Sequence, residues 1–335
     1  MNDMIFVTGA SRSGTTMLSR ILGQHSRVAG LKELHCFGDL IDPNRLQSAL
    51  SRVEAIDLST RLIARSKRDV WGSVEEEDRV EATGFLEHLT DGDLTADSII
   101  SSTLSQIAEN AGKEIPCEQT PRNIFYAQRL LEAFPELKIV HIVRDPRDVL
   151  ASQKNRWQRK RLGGSNIPWS EIIRVWFNYH PYTITKMWLK ANRLALQLQD
   201  HDRFYMLRFE DLIEDPQTQV EKISGFLGLS YEKIMLDIPQ VGSSHSDNTE
   251  QQTGVRKSTL NRWKTVLSSG EVIVCEKLAK PLMDQFSYPL SAKGGALDSS
   301  VIMQVLKYPL HAAGVLLSNP RRAWIQFQAV LGKSK

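Results

Sequence analysis

At 335 residues, 41% of them hydrophobic, the chain can bury a substantial core as one large α/β domain or two smaller ones. A formal net charge of +3, from 42 Lys and Arg against 39 Asp and Glu, excludes a general nucleic-acid binder and confines anion recognition to a local site. Cys36, Cys117 and Cys275 give neither a disulfide framework nor a metal spacing; with no basic n-region and no run near the ~20 apolar residues of a membrane span, the expectation is a cytoplasmic protein without a transmembrane segment.

The first element is Ile5–Leu22, IFVTGASRSGTTMLSRIL. Ile5, Phe6 and Val7 are an apolar run, Gly9 to Thr16 is small and polar, and Met17, Leu18, Ile21 and Leu22 recur at helical spacing. This predicts a strand, a tight loop and a helix whose free N–H groups face the loop, which is a ready site for phosphate. The spacing nearly matches the nucleotide-phosphate loop GxxxxGK(S/T): Gly9, four residues, Gly14, then Thr15 and Thr16. Thr15 replaces the lysine that would reach a triphosphate, and Arg12 is the nearest long cation. A single phosphate beside one cation fits better than a magnesium–triphosphate complex. The alternative is a glycine-rich turn that only packs a helix on a strand.

A second strand, Val28–Leu31, runs into Lys32-Glu33-Leu34-His35-Cys36-Phe37. Residues 36–115 then read as a helical insertion on the acceptor side of the sheet, carrying no motif of their own. Ile115–Cys117 is a brief strand before Glu118-Gln119-Thr120-Pro121-Arg122, and Asn123–Ala133 a helix. Lys138–Val143 (KIVHIV) is the clearest buried strand, ending at Arg144 with Asp145 as N-cap and Pro146 as first helical residue. Helices are predicted at Pro146–Trp157 and Trp169–Leu198, a strand at Phe204–Leu207, and a helix at Pro216–Leu227. Strands alternating with helices predict a mainly parallel sheet covered on both faces, with ligands at the carboxyl ends of its strands. Arg12, Glu33, Thr120 and Arg144 all follow a predicted strand. Lys154–Arg161 (KNRWQRKR) is a basic run that fits an anionic acceptor or a solvated helix end. The tail 291–335 mixes apolar residues with Arg321, Arg322, Lys333 and Lys335; membrane-surface contact, oligomer contact and domain packing are all open to it.

Arg12-Ser13-Gly14-Thr15-Thr16 resembles the 5′-phosphosulfate loop (R/K-S-G-T-T/S) of the sulfotransferase superfamily, which uses 3′-phosphoadenosine 5′-phosphosulfate (PAPS). Two further matches follow in order. Arg144 and Ser152 have the spacing of the arginine and serine that bind the 3′-phosphate in that superfamily. Lys32–Phe37 resembles the KE-x-H-x-F segment of heparan sulfate 3-O-sulfotransferases, whose glutamate is the general base. In motif style the chain is similar to bacterial and Golgi-type members, over about residues 4–290. The resemblance implies a P-loop NTPase-like three-layer α/β fold over 1–290, transfer of a sulfuryl group to a hydroxyl or amine, and no metal. It implies that Arg12, Ser13, Gly14, Thr15 and Thr16 hold the phosphosulfate, with Arg12 also stabilising charge on the leaving oxygen. Arg144 and Ser152 would hold the 3′-phosphate, Phe209 would stack on adenine, and Arg256 and Lys257 would close over the donor. Glu33 would be the base, with His35 as the alternative.

Two departures stand out. Gln119 occupies the place of a catalytic lysine, leaving Arg12 alone or a compensating cation such as Lys32 or Arg122. Phe209 replaces a tyrosine. Other readings are a P-loop small-molecule kinase or a catalytically weak module binding PAPS or its product. The acceptor would be a small molecule, a glycan or a lipid, with no nucleic-acid partner.

Overall fold

The computed structural model describes residues 3–70, 72–87, 89–90, 94–154, 169–238, 254, 260–291 and 299–318. The chain forms two units, one of Met1–Gly9, Gly14–Ile142 and Ala195–Ile238, the other of Ala10–Ser13, Val143–Leu194 and Pro239–Lys335.

In the first unit all five predicted strands form: β1 (Met4–Gly9), β2 (Val28–Gly30), β3 (Ile115–Glu118), β4 (Leu137–Val143) and β5 (Phe204–Arg208). They make one sheet in the order β2-β3-β1-β4-β5. Its paired registers are parallel, with Ile5 opposite Cys117 and Lys138, and Val28 opposite Ile115. β1 is buried at every position and β4 at all but Lys138, which is why these strands read as unbroken apolar runs rather than as alternation. The connections after β1 lead first to one side of that strand and then to the other. The carboxyl end of β1 therefore lies at the point where a doubly wound sheet opens its ligand crevice.

Helices flank the sheet. α1 (Thr15–Gly23) packs on β1, β2 and β3. The insertion consists of α2 (Arg52–Arg68), α3 (Glu76–Leu86) and α4 (Ala96–Asn110), with α2 against both others and α4 against β3. α2 begins at a capping box, in which Ser51 and Glu54 each satisfy the other's backbone N–H. The predicted helix 123–133 is divided into a 3₁₀ stretch, Pro121–Tyr126, and α5 (Ala127–Ala133). Phe6, Phe37 and Phe134 cluster in the core with ring centroids 5.8–6.5 Å apart, joining the sheet to the segment after β2.

The second unit holds α6 (Pro146–Lys154), α7 (Trp169–Asn178) and most of α8 (Pro181–Gln197). The single helix predicted over Trp169–Leu198 is thus two. Pro181 disfavours helical backbone at His180 and lacks an N–H, so it ends one helix and starts the next. Back in the first unit, α9 (Phe209–Glu214) follows β5 directly and α10 (Pro216–Leu227) ends at Gly228 in the left-handed region. α11 (Trp263–Val266), α12 (Ser269–Gln285) and α13 (Ser299–Ser318) complete the second unit. By length and composition α13 is apolar enough to cross a membrane. The sequence reading missed it by seeking an uninterrupted apolar run, which Gln304, Lys307 and His311 break.

Candidate functional site

In the second unit, four predicted site residues come together. Arg12 sits in the left-handed region at φ 79°, and its Nε donates to Ser152 Oγ at 3.0 Å. Arg144 Nη1 donates to the Arg12 carbonyl at 3.2 Å. Ser13 turns back through its N–H to the Ala10 carbonyl at 3.0 Å, while its buried hydroxyl has no hydrogen-bond partner among the described residues. A buried hydroxyl without an acceptor or donor costs free energy unless a ligand completes it. Within one unit the Arg12 guanidinium thus meets the Ser152 hydroxyl and the Arg144 guanidinium reaches the Arg12 backbone, groups of the kind that hold a phosphate.

The surroundings fix this cluster. Asp145 caps α6 by accepting from the Arg147 N–H at 2.8 Å. The Trp188 indole N–H donates to the Arg144 carbonyl at 2.9 Å. Asp148 accepts the N–H groups of Asn261 and Trp263 at 2.9 and 3.0 Å, so it anchors α6 instead of pairing with arginines on a helix face. Burial pushes its carboxyl above the usual range, with Arg144 pulling the other way.

The first unit holds the residues that follow Ser13 in sequence. Gly14, at φ 106°, precedes α1 without a side-chain cap, so the first N–H groups of α1 have no intrahelical partner. A Cβ at Gly14 would meet the Phe209 ring at 2.5 Å. Only glycine fits here, both for its φ and for that ring. Phe209, expected from the resemblance to stack on adenine, is 3% exposed, with its ring against Gly14. Thr15 is buried, and the Thr16 hydroxyl donates to Gln119 Oε1 at 3.3 Å, tying the residue that replaces the lysine to the loop. The two compensating cations are engaged elsewhere. Lys32 donates to the Lys67 carbonyl at 2.8 Å, and Arg122 pairs with Asp39 at 2.8 Å.

Glu33 and His35, rivals in the sequence reading, are partners. Glu33 Oε2 lies 3.1 Å from His35 Nε2, while Arg27 and Lys32 pair with Glu114 and Asp69. His35 is held at φ 46°, a conformation that costs a non-glycine residue about 1–2 kcal/mol. A clamp sustains it. Arg65 Nη1 donates to the carbonyls of Leu34 and His35 at 2.7 and 3.0 Å. Glu118 accepts from the Leu34 N–H at 3.0 Å, and the Thr120 hydroxyl accepts from the His35 N–H at 3.1 Å while donating to Glu118. Glu118 also takes the Thr120 N–H at 3.0 Å and the Asn123 amide at 2.8 Å. Burial pushes this carboxyl above the usual range, and its hydrogen bonds counter that only in part.

The sequence reading used neither Glu118 nor Arg65. A lone carboxylate ending an apolar strand was the available signal for Glu118; nothing local marks Arg65. Glu118→Gln puts an amide donor among four donors, so a loss of about 2–3 kcal/mol is expected in urea unfolding followed by circular dichroism. An unchanged midpoint would show that the clamp carries no stability.

Arg256, Lys257 and the basic run beyond Lys154 lie outside the described residues. All three cysteines are buried thiols; burial pushes Cys117 and Cys275 up to about 12 and Cys36 higher still, so none is a ready nucleophile.

The profile described as a sulfotransferase family matches residues 4–233. A Caenorhabditis briggsae protein named for protein-tyrosine sulfotransferase activity is 22% identical over 299 residues, 87% of this chain and 90% of the relative. An omega-hydroxy-beta-dihydromenaquinone-9 sulfotransferase of Mycobacterium bovis is 32% identical over 131 residues, which is 38% of this chain and 33% of that one. Among solved structures, the sulfotransferase domain of the Synechococcus PCC 7002 olefin synthase shares the fold, with a TM-score of 0.53 at 21% identity over 87% of this chain and 96% of that domain.

Proposed function

The chain belongs to the sulfotransferase family, and we propose that it moves a sulfuryl group from PAPS to an acceptor hydroxyl, releasing adenosine 3′,5′-bisphosphate (PAP). The observation that carries the donor assignment is the convergence of Arg12, Ser152 and Arg144 within one unit. The residues present fit such a donor. Ser13 has a buried hydroxyl to complete, α1 presents uncapped N–H groups, and Gly14 leaves room for close approach.

Ser13 to Thr16 would hold the 5′-phosphosulfate through N–H and hydroxyl groups, and Arg144 with Ser152 the 3′-phosphate. Phosphate oxygens replace the Arg12–Ser152 hydrogen bond, freeing Arg12 for the leaving oxygen. When bound, PAPS supplies an activated sulfuryl group on a phosphate leaving group. Glu33, braced by His35, takes the acceptor's proton as its oxygen attacks. Thr15 in place of the P-loop lysine speaks against a kinase. The names of the relatives support a small-molecule, lipid or carbohydrate hydroxyl as acceptor. Three buried free thiols support a reducing, cytoplasmic setting.

Calorimetry tests the donor. PAP is expected to bind without magnesium and much more tightly than ADP. Arg144→Ala should lose about 1.5–3 kcal/mol of that preference, the worth of a charge-assisted hydrogen bond. Equal affinity for ADP, or a requirement for magnesium, would overturn the assignment. Binding of PAP with no sulfate transfer to a panel of sugars, lipids, phenols and peptides would point instead to the weak binding module.

A further inference from the structure

α13 has two unlike faces. One is committed to the second unit. His180 Nε2 and the Gln304 carbonyl are 3.0 Å apart, and His311 Nδ1 lies 3.1 Å from the Phe177 carbonyl. His311 stacks on Trp176 at 4.9 Å, and Tyr308 lies edge-on to His180 at 5.0 Å. A Cβ at Gly314 would meet the Phe177 ring at 1.9 Å, so glycine is what lets α13 approach α7.

The other face is apolar and exposed. Ile302, Leu306, Leu310 and Leu317 recur at intervals of four, four and seven residues, with Val305 and Leu316 beside them, between 46% and 87% exposed. Only 11% of the apolar window in this helix is buried. Ile173 and Trp176 of α7 are exposed as well. A contiguous apolar stripe of this kind is unusual on a monomer surface.

Charge decides what covers it. From Ser299 to Lys335 the sequence has no Asp or Glu but carries Lys307, Arg321, Arg322, Lys333 and Lys335. Without those five cations the chain's 42 Lys and Arg would fall below its 39 carboxylates, so its whole net positive charge resides here. An apolar helix face within an acid-free, cationic segment complements an anionic lipid surface. Because its inner face is bonded to α7 and packed on α12, α13 lies along such a surface and does not traverse it. We propose that the outer face of α13 docks the protein peripherally on an anionic lipid bilayer.

Vesicle flotation of the full chain tests this. Binding is expected to phosphatidylcholine vesicles containing phosphatidylglycerol, to weaken at high salt, and to be much weaker with phosphatidylcholine alone. Combined Leu306→Ser, Leu310→Ser and Leu317→Ser should lower the partition coefficient at least about tenfold, with PAP affinity unchanged. Should the triple variant be unstable, Leu317→Ser alone, at an 87% exposed position, is expected to weaken binding in the same direction. Failure of the parent to float overturns the proposal, as does equal binding to both vesicle types. Resistance to carbonate extraction would mean a spanning helix and overturn it too. So would a lipid-indifferent dimer that the leucine substitutions dissociate, since a second copy would then cover the face.

Discussion

A Glu33→Gln enzyme is expected to keep its affinity for PAP and to lose about 10²–10⁴-fold in kcat, the usual contribution of a general base. Glutamine preserves size and can still meet the His35 ring, but it cannot accept the acceptor's proton. The 3.1 Å approach of Glu33 to His35 sharpens the expectation. An imidazole beside the carboxylate orients it. His35→Ala should therefore cost less than Glu33→Gln. If Glu33→Gln is nearly as active as the parent while His35→Ala is inactive, the imidazole is the base. If neither matters, the proton leaves by another route.

What the sequence made legible was local. The run Ile5–Leu22 contains its own strand, loop and helix start, and Ile139–Val143 is buried on both faces, so periodicity alone located them. Arg144 and Ser152 were found by spacing along one helix start. The clamp on Glu33 and His35 was not legible, because its bonds join residues 31 and 84 positions apart in sequence. No local pattern encodes that Arg65 on α2 reaches the turn after β2, or that Glu118 at the end of β3 does. The partnership of Glu33 with His35 also depends on the left-handed turn at His35, a conformation that residue type does not announce. The burial of Phe209 was not legible either, because it depends on the close approach of Gly14 to its ring in the fold.

Arg147→Ala is expected to destabilise the protein by about 3–5 kcal/mol, the cost of removing one member of a buried ion network. Arg147 is 2% exposed, and its guanidinium meets Asp145 Oδ2 at 2.6 Å, Glu276 Oε1 at 2.6 Å and the Pro289 carbonyl at 2.9 Å, with its Cζ 4.2 Å from the Trp263 ring centre. Burial opposes the charge, yet the hydrogen bonds and charges of Asp145 and Glu276 outweigh it and hold the group above the ordinary guanidinium value. Removing it takes away the cation that the buried Asp145 and Glu276 carboxylates both meet, and chemical denaturation of both proteins measures the deficit. Because Asp145 caps the helix that carries Ser152, PAP affinity should fall along with stability. A deficit below about 1 kcal/mol would show that the network is not what holds α6 in place.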